Sequence, residues 1–559
     1  MSPFASTTKS PAGSGATDIS QRKGIHPAFF VLITVFFFWG FVAASNGIFI
    51  PFCKNHFNLN QLESQLIDFS FYGAYFIGSL VLYLLSAVRG EDILNKIGYR
   101  KGIIVGLLIS VVGALLLIGA VNIGVHMTDK TMAFFLILGA FFIVALGFSL
   151  QQVAANPFAV VMGSPETGAH RLNLAGGINS FGTAIGPLII AVLLFGTAGS
   201  ASSGASTDIS GVNKVYFLLA ALFLAVAILF AVAKMPEVTS HDRFEKTKKA
   251  SNSLLMITGF FVLIIIGIII DFRLPLFIIG IIGILAVLIL SNKAAKKNGE
   301  GWGAMKYPQL ALGMIAIFVY VGTEVTIQSN MGALLELKGF LKPNGLSASE
   351  IDPFISLYWG SLMMGRWAGA ITAFNVKKSI RKVLLVVVPF VGYVVVLYVN
   401  YLKGNNVHEL LPYIPCIVIQ ILGFFWGQEK PAKTLMIFGF LGIIAMLTGL
   451  FSVGWVSTFA FVSGGLFCSV MWPNIFALSI AGLDKYTSQG SAFLIMMILG
   501  GALIPPLQGG LADLPFIGIH ASYVVPVVTF AFLAFFAYRV KGILKSQGID
   551  YESAISGGH

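Results

Sequence analysis

The chain has 559 residues, of which 57% are apolar and only 10% charged. A soluble protein of this length carries about 25% charged residues and splits into several water-exposed domains, so a soluble enzyme, a nucleic-acid binder and a disordered scaffold are excluded. The net charge of +12, from 35 Lys and Arg against 23 Asp and Glu, sits mostly in short segments between apolar runs, where it reports membrane topology.

Residues 1–25 are rich in Ser, Ala, Thr and Gly and hold no apolar stretch. That composition predicts a disordered cytoplasmic tail without a cleavable signal peptide. A helix crosses a bilayer core of about 30 Å with about 20 apolar residues. Six such runs, at 28–52, 64–88, 101–123, 131–158, 173–196 and 213–233, predict an N-terminal bundle over 26–235. A basic cytoplasmic linker over 236–306 follows and contains two further runs at 254–270 and 274–291. Eight runs then predict a C-terminal bundle over 307–541: 308–334, 353–374, 383–402, 410–427, 435–453, 455–481, 490–512 and 519–539. Residues 542–559 read as a cytoplasmic tail. The narrowest division is at Val453-Gly454-Trp455, and 14 spans is the rival to this count of 16.

Lys and Arg test the count independently, because cytoplasmic loops are enriched in them. With the amino terminus inside, 28 fall on the inner side, Arg366 among them, and 7 on the outer. One miscounted span would invert everything downstream. The expectation is an all-α, multi-pass protein of the cell inner (plasma) membrane with both termini cytoplasmic. Its two similar halves about a basic linker are the organisation of a secondary transporter, whose site lies between the halves near the bilayer midplane.

Chemistry inside the spans is sparse. Cys53, Cys416 and Cys468 are scattered, and His126, His408 and His520 lie in outer loops, so no disulfide framework and no metal site are expected. No phosphate loop or nucleophile elbow is present. An intramembrane carboxylate costs about 2.5–3.5 kcal/mol on insertion scales and persists where it faces protein or water. Glu324 is deep in its span, with Tyr320 and Gln328 one turn away on the same face; it is a candidate coupling group, the alternative being a packing hydrogen bond. Asp68, about a turn inside the outer end, is a second candidate, the alternative being a vestibule residue.

Amides also occur at helical spacing: Gln152 with Asn156, Asn179 with Thr183, and Asn46 seven residues after Trp39. Asn474 follows Trp472-Pro473, and Gln508 follows Pro505-Pro506. Sugar hydroxyls need both donors and acceptors, and sugar C–H faces stack on rings, so amides and Trp in a membrane core suit a monosaccharide. The alternative is interhelical bonding, about 0.6 kcal/mol each. Gly98-Tyr99-Arg100-Lys101 and Gly365-Arg366 occupy corresponding inner positions of the two halves. Arg100, Lys101 and Arg366 therefore read as gate contacts, or as plain topology charge.

Several segments resemble the fucose permease (fucose:proton symporter) family of the major facilitator superfamily, which includes glucose/galactose transporters. In the first half they are Phe38-Trp39-Gly40-Phe41, Asn46-Gly47-Ile48-Phe49-Ile50-Pro51, Gln152-Val153-Ala154-Ala155-Asn156-Pro157 and Arg171-Leu172-Asn173-Leu174 with Asn179-Ser180. In the second they are Tyr320-Val321-Gly322-Thr323-Glu324-Val325, Tyr358-Trp359-Gly360 with Gly365-Arg366, Trp472-Pro473-Asn474 and Gln489-Gly490-Ser491-Ala492. The resemblance implies twelve core helices, which makes the pairs at 254–291 and 383–427 insertions. The candidate sugar contacts, read from the amides and rings of the spans, are Asn46, Gln152, Asn156, Asn179, Gln328, Trp359, Asn474 and Gln508. The chain departs from the family at Gly47 and Gln152, where the fucose permease has carboxylates, and at Gly176 and Asn95-Lys96. Proton coupling through those two carboxylates does not carry over.

The combined expectation is a cation-coupled symporter that imports a monosaccharide such as fucose, glucose or galactose by alternating access, as a monomer without cofactor. The coupling ion is H⁺ on Glu324, or Na⁺ held by neutral oxygens such as those of Asn46, Gln152 and Asn156. An uncoupled facilitator and a non-transporting sugar sensor are the alternatives. An intramembrane enzyme would need a paired acid/base or metal constellation that these spans lack.

Overall fold

A computed structural model describes residues 25–56, 61–164, 167–195, 209–236, 247–270, 273–374 and 376–549. The side chains of 43–56 and 61–68 lie outside this description. So do the tails at 1–24 and 550–559 and the linker stretch 237–246.

Every predicted apolar run falls on a helix or a chain of short helices. The first half is α1 (Phe29–His56), α2 (Gln61–Arg89), α3 (Tyr99–His126), α4 (Lys130–Val161), α5 (Gly168–Phe195) and α6 (Ile209–Val232). The first additional pair is α7 (Lys248–Ile269) and α8 (Arg273–Lys297). The second half holds α9 (Pro308–Ser329), α10 (Ala348–Ala370), α11 (Lys378–Leu402), α12 (Ile414–Gly427) and α13 (Pro431–Leu450). It continues through three short helices, α14 (Gly454–Val462), α15 (Gly464–Cys468) and α16 (Met471–Ile480), to α17 (Thr487–Met496), α18 (Gly500–Ala512) and α19 (Val524–Ser546). The last helix thus runs past the expected end of the bundle at 541. Among the described residues, thirteen helical segments are long and apolar enough to cross a membrane. The described apolar stretch of α1 is Phe29–Val42; α5 and α10 carry polar residues of the interface between the halves.

The narrow division at Val453-Gly454-Trp455 is a turn. Gly454 has φ of +67°, a conformation that glycine adopts without the Cβ clash other residues suffer, and it separates α13 from α14.

Within the first half α3 packs on α4 and α6, and α1 packs on α5; in the second, α9 packs on α16, α18 and α19, and α13 on α19. The halves meet along α5 against α10 and α16, and along α17 against α2 and α4. Hydrogen bonds cross this seam at the end of the bundle that carries most Lys and Arg, here the basic end. Asn95 Nδ2 donates to the Lys485 carbonyl at 3.0 Å, Ser488 Oγ to Asp92 at 3.1 Å, and Ser491 Oγ to the Val153 carbonyl at 2.9 Å. Burial in this seam pushes the Asp92 carboxyl above its ordinary range. His170 Nδ1 lies 2.8 Å from the Gly369 carbonyl, and Trp367 Nε1 donates to the Gly177 carbonyl at 3.1 Å. The basic end is closed.

The first additional pair borders this seam and touches both halves, while the second packs mainly on the second half. α7 and α8 pack on each other, and α8 reaches α9 and α18; Phe261 of α7 stacks on Phe69 of α2, with centroids 5.3 Å apart. α11 packs on α10, and α12 on α13.

The turn into α5 is held by one side chain. Arg171 is 1% exposed and donates from Nε to the Ala159 carbonyl at 2.9 Å, from Nη2 to the Val160 and Ser164 carbonyls, and from Nη1 to Thr167 Oγ1. Each carbonyl left unpaired in a buried turn costs about 1–3 kcal/mol. Arg171→Met is therefore expected to lower the melting temperature of the detergent-solubilised protein by several degrees, read by a thermal unfolding scan; an unchanged transition would contradict this role.

Candidate functional site

The centre of the seam is built on two antiparallel helices. On any helix the Cα–Cβ bonds lean toward the N-terminus. The Glu324 side chain on α9 therefore leans toward the basic end, and that of Arg366 on α10 leans away from it. They meet: Arg366 Nη2 lies 3.0 Å from Glu324 Oε1, with the two side chains only 11% and 13% exposed. The same Nη2 donates to Tyr320 Oη at 3.2 Å, Nη1 to Ser180 Oγ of α5 at 2.8 Å, and Nε to the Ser469 carbonyl at 3.3 Å. Tyr358 Oη donates to the Glu324 backbone carbonyl at 2.7 Å, fixing the helix at the carboxylate. One guanidinium thus joins a carboxylate of the second half to a hydroxyl of the first.

The Ser469 carbonyl is available because of a proline. In a continuous helix it would accept from the amide of residue 473, and Pro473 has none. Rings frame the pair: Trp472 lies 6.3 Å from Tyr320 between centroids, and Trp367 lies 6.0 Å from Phe181 of α5.

Arg366, expected near the inner end as a gate contact or topology charge, sits within α10, where it pairs with Glu324 and reaches Ser180 of the opposite half. The signal was present, since the residue lies eight positions before the predicted end of its span at 374. Ser180 and Tyr358 fall in segments that carry the family resemblance but have no role in the sequence reading, and Ser469 is absent from it; hydroxyls and carbonyls have no distinctive spacing. Arg100 also has another place: it donates from Nε to the Phe230 carbonyl at 2.8 Å and from Nη2 to that of Ala231. It caps the C-terminus of α6, as a cation at a helix C-terminus does. Lys101 is exposed.

The amides divide into two groups. Gln152 is half-buried, with Nε2 donating to Tyr75 Oη at 3.1 Å, and Asn179 is half-buried, with Nδ2 donating to the Phe36 carbonyl of α1 at 2.9 Å. Asn179 adjoins Ser180 and so stands beside the ion pair. Gln328, one turn beyond Glu324, and Trp359, edge-on to Tyr358, are also half-buried. The other amides turn inward. Asn156 is 1% exposed and donates to the Gln152 carbonyl of its own helix. Gln508 is fully buried, accepting from Thr326 Oγ1 at 2.8 Å and donating to Ser522 Oγ at 3.2 Å, which ties α18 to α9 and the start of the last hairpin. Asn474 lines a separate cleft at the basic end with His170, Asn173 and Glu429. The side chains of Asn46 and Asp68 lie outside the described residues. No group of three or more His, Cys, Asp and Glu side chains suited to a metal occurs among the described residues.

Comparison with known proteins agrees with this architecture. No family model matches the chain. It is 31% identical over 520 residues to a glucose/galactose transporter of Brucella abortus, covering 93% of this chain and 95% of that protein. It is 23% identical over 538 residues to the L-fucose-proton symporter of Escherichia coli, covering 93% and 94%. Among solved structures, FucP, a major facilitator superfamily transporter captured in the outward conformation, superposes with a TM-score of 0.61 at 22% identity, over 92% of this chain and 98% of that one.

Removing one member of a buried ion pair strands the other, at a cost of about 3–5 kcal/mol. Glu324→Leu is expected to depress thermal stability sharply, and adding Arg366→Met is expected to restore at least half of the loss. Melting curves of the single and double variants decide it; additive losses would contradict the pairing.

Proposed function

The chain belongs to the family of glucose/galactose transporters and fucose:proton symporters of the major facilitator superfamily, and from that premise we propose that it imports a monosaccharide of the fucose, glucose or galactose class by proton-coupled alternating access across the cell inner (plasma) membrane. The observation that carries this reading is the Arg366 guanidinium shared between Glu324 and Ser180. It is the one cation that touches both a buried carboxylate and the opposite half among the contacts described above.

A proton reaching Glu324 neutralises it and removes the charge that holds Arg366. The guanidinium keeps three neutral acceptors, Tyr320 Oη, Ser180 Oγ and the Ser469 carbonyl, so it is not left without partners. Two of these belong to the second half and one to the first. The balance between them then decides whether α5 and α10 stay joined. The half-buried amides Gln152, Asn179 and Gln328 offer donors and acceptors to sugar hydroxyls, and Trp359 and Trp472 offer ring faces. The sugar enters from the end opposite the closed basic end. Its hydroxyls then compete for the same hydrogen-bonding groups, so proton and sugar bias one two-state element. Every group in this scheme comes from one chain, and a monomer suffices.

One pH unit is worth 1.36 kcal/mol, or a factor of ten, so a one-to-one symporter accumulates sugar about tenfold per unit of imposed gradient. Proteoliposomes loaded against labelled fucose, glucose and galactose are expected to concentrate one of them with an inward proton gradient and not with a Na⁺ gradient. Glu324→Gln is expected to abolish accumulation while leaving sugar counterflow. Accumulation driven by Na⁺ alone would move the coupling to the neutral oxygens, and uptake that ignores both gradients would remove symport.

A further inference from the structure

Helix α12 is an apolar helix at the outside of the second half, yet it carries Gln420, an amide that is fully buried. A polar group in this setting is costly unless it is bonded. Its Nε2 donates to the Leu466 carbonyl at 3.2 Å and lies 3.5 Å from Ser469 Oγ. Leu466 belongs to α15 and Ser469 to the break between α15 and α16, where Pro473 leaves the Ser469 carbonyl free for Arg366 Nε. The contact is tight on the third side as well. A Cβ placed on Gly365 would stand 1.9 Å from Ser469 Oγ and 2.4 Å from Gln420 Nε2, so only glycine lets α10 approach here. Three helices converge one residue from Arg366.

The same pair of helices grips α10 further along. Lys403 pairs with Asp352 at 2.9 Å, Asn400 Nδ2 donates to Ser356 Oγ at 2.9 Å, and Ser361 Oγ lies 2.8 Å from Tyr413 Oη. With Gly365 these positions form two i,i+4 pairs on α10, 352 with 356 and 361 with 365, and the five-residue step between the pairs carries the grip from one side of the helix to the other. Polar contacts in hydrocarbon fix orientation more than lipid-like packing does. Each of them ends on α10, the helix that also carries Arg366, Trp367 and Gly369 to the first half.

We propose that the inserted pair α11–α12 is a brace that holds α10 in register, and that Gln420 is a positioning residue for Arg366. By fixing the α15–α16 break it sets where the Ser469 carbonyl lies, and so how the guanidinium is divided between Glu324 and Ser180. This rests on the coupling role given to Glu324 above. It adds a residue outside the seam, and a purpose for helices that a twelve-helix core does not need.

Two measurements test it. The first reads transport: Gln420→Leu is expected to lower proton-driven accumulation about tenfold, the scale of one lost hydrogen bond at a charged group, with counterflow within about twofold of the parent. In a Glu324→Gln background the same substitution is expected to change neither. Equal losses of accumulation and counterflow, or no loss, would overturn the positioning role. The second is independent of any sugar: melting temperatures of Gln420→Leu, Arg366→Met and the double variant. Non-additive shifts are expected, because both substitutions act at Ser469; additive shifts would overturn the wiring even if transport itself proved uncoupled. Should Glu324→Gln still accumulate sugar while the melting shifts remain non-additive, the coupling reading fails and the brace stands.

Discussion

A carboxylate and a guanidinium inside a bilayer are tolerable only together, and the structure is arranged so that they meet. Burying the two charges costs several kcal/mol per ion, and the cost is met only when geometry is good and the remaining donors are filled. Here the fork of Arg366 is filled on every side: Glu324 and Tyr320 on α9, Ser180 on α5, and the Ser469 carbonyl at a proline-induced break. The sequence features around it serve that arrangement. Tyr320 lies one turn from Glu324, Gly365 admits the α15–α16 break against α10, and Pro473 frees a carbonyl. Because one of the four partners lies across the seam, the ion pair is wired directly to the contact between the halves.

At the closed basic end, short polar contacts between helix ends join ring contacts such as Tyr83 with Phe493 and Phe181 with Trp367. Asp92 with Ser488, Asn95 with Lys485 and His170 with Gly369 each contribute about 0.5–1.5 kcal/mol. Such polar bonds can be exchanged for water when a seam opens. Small residues let the helices approach: the Asn173 side chain lies against Gly369, and Trp367 against Gly177. An ion pair at the centre and exchangeable bonds at one end are what an alternating-access machine requires. Outside the seam, the pair α11–α12 adds stiffness to the helix that carries Arg366, at the level of its outer and inner turns alike.

Much of this was legible in the residues. Apolar runs located the long helices among the described residues, because hydrocarbon demands internally satisfied backbone and leaves little choice of structure. Glu324 was visible as the deep carboxylate, and its company with Tyr320 followed from helical spacing. Its partner was misplaced, because an arginine near the end of a span looks the same in sequence whether it snorkels to water or reaches back to a buried acid. The amides show the same limit. Gln152 and Gln508 read alike as polar residues near prolines, yet one is half-buried beside Tyr75 and the other is sealed between Thr326 and Ser522. Periodicity gives the face of a helix but not what stands opposite, and partners hundreds of residues away, such as Ser180 for Arg366, have no local signature.

The account rests on α5 and α10 parting and rejoining at the basic end. Asn173→Cys with Gly369→Cys tests this directly, because a Cβ on Gly369 falls 2.9 Å from Asn173 Cγ, within the reach of a disulfide once the amide is truncated. Oxidation is expected to join the two halves and stop sugar flux in both directions, with full recovery on reduction. A cross-linked protein that carries sugar at the rate of the reduced one would contradict alternating access at this seam.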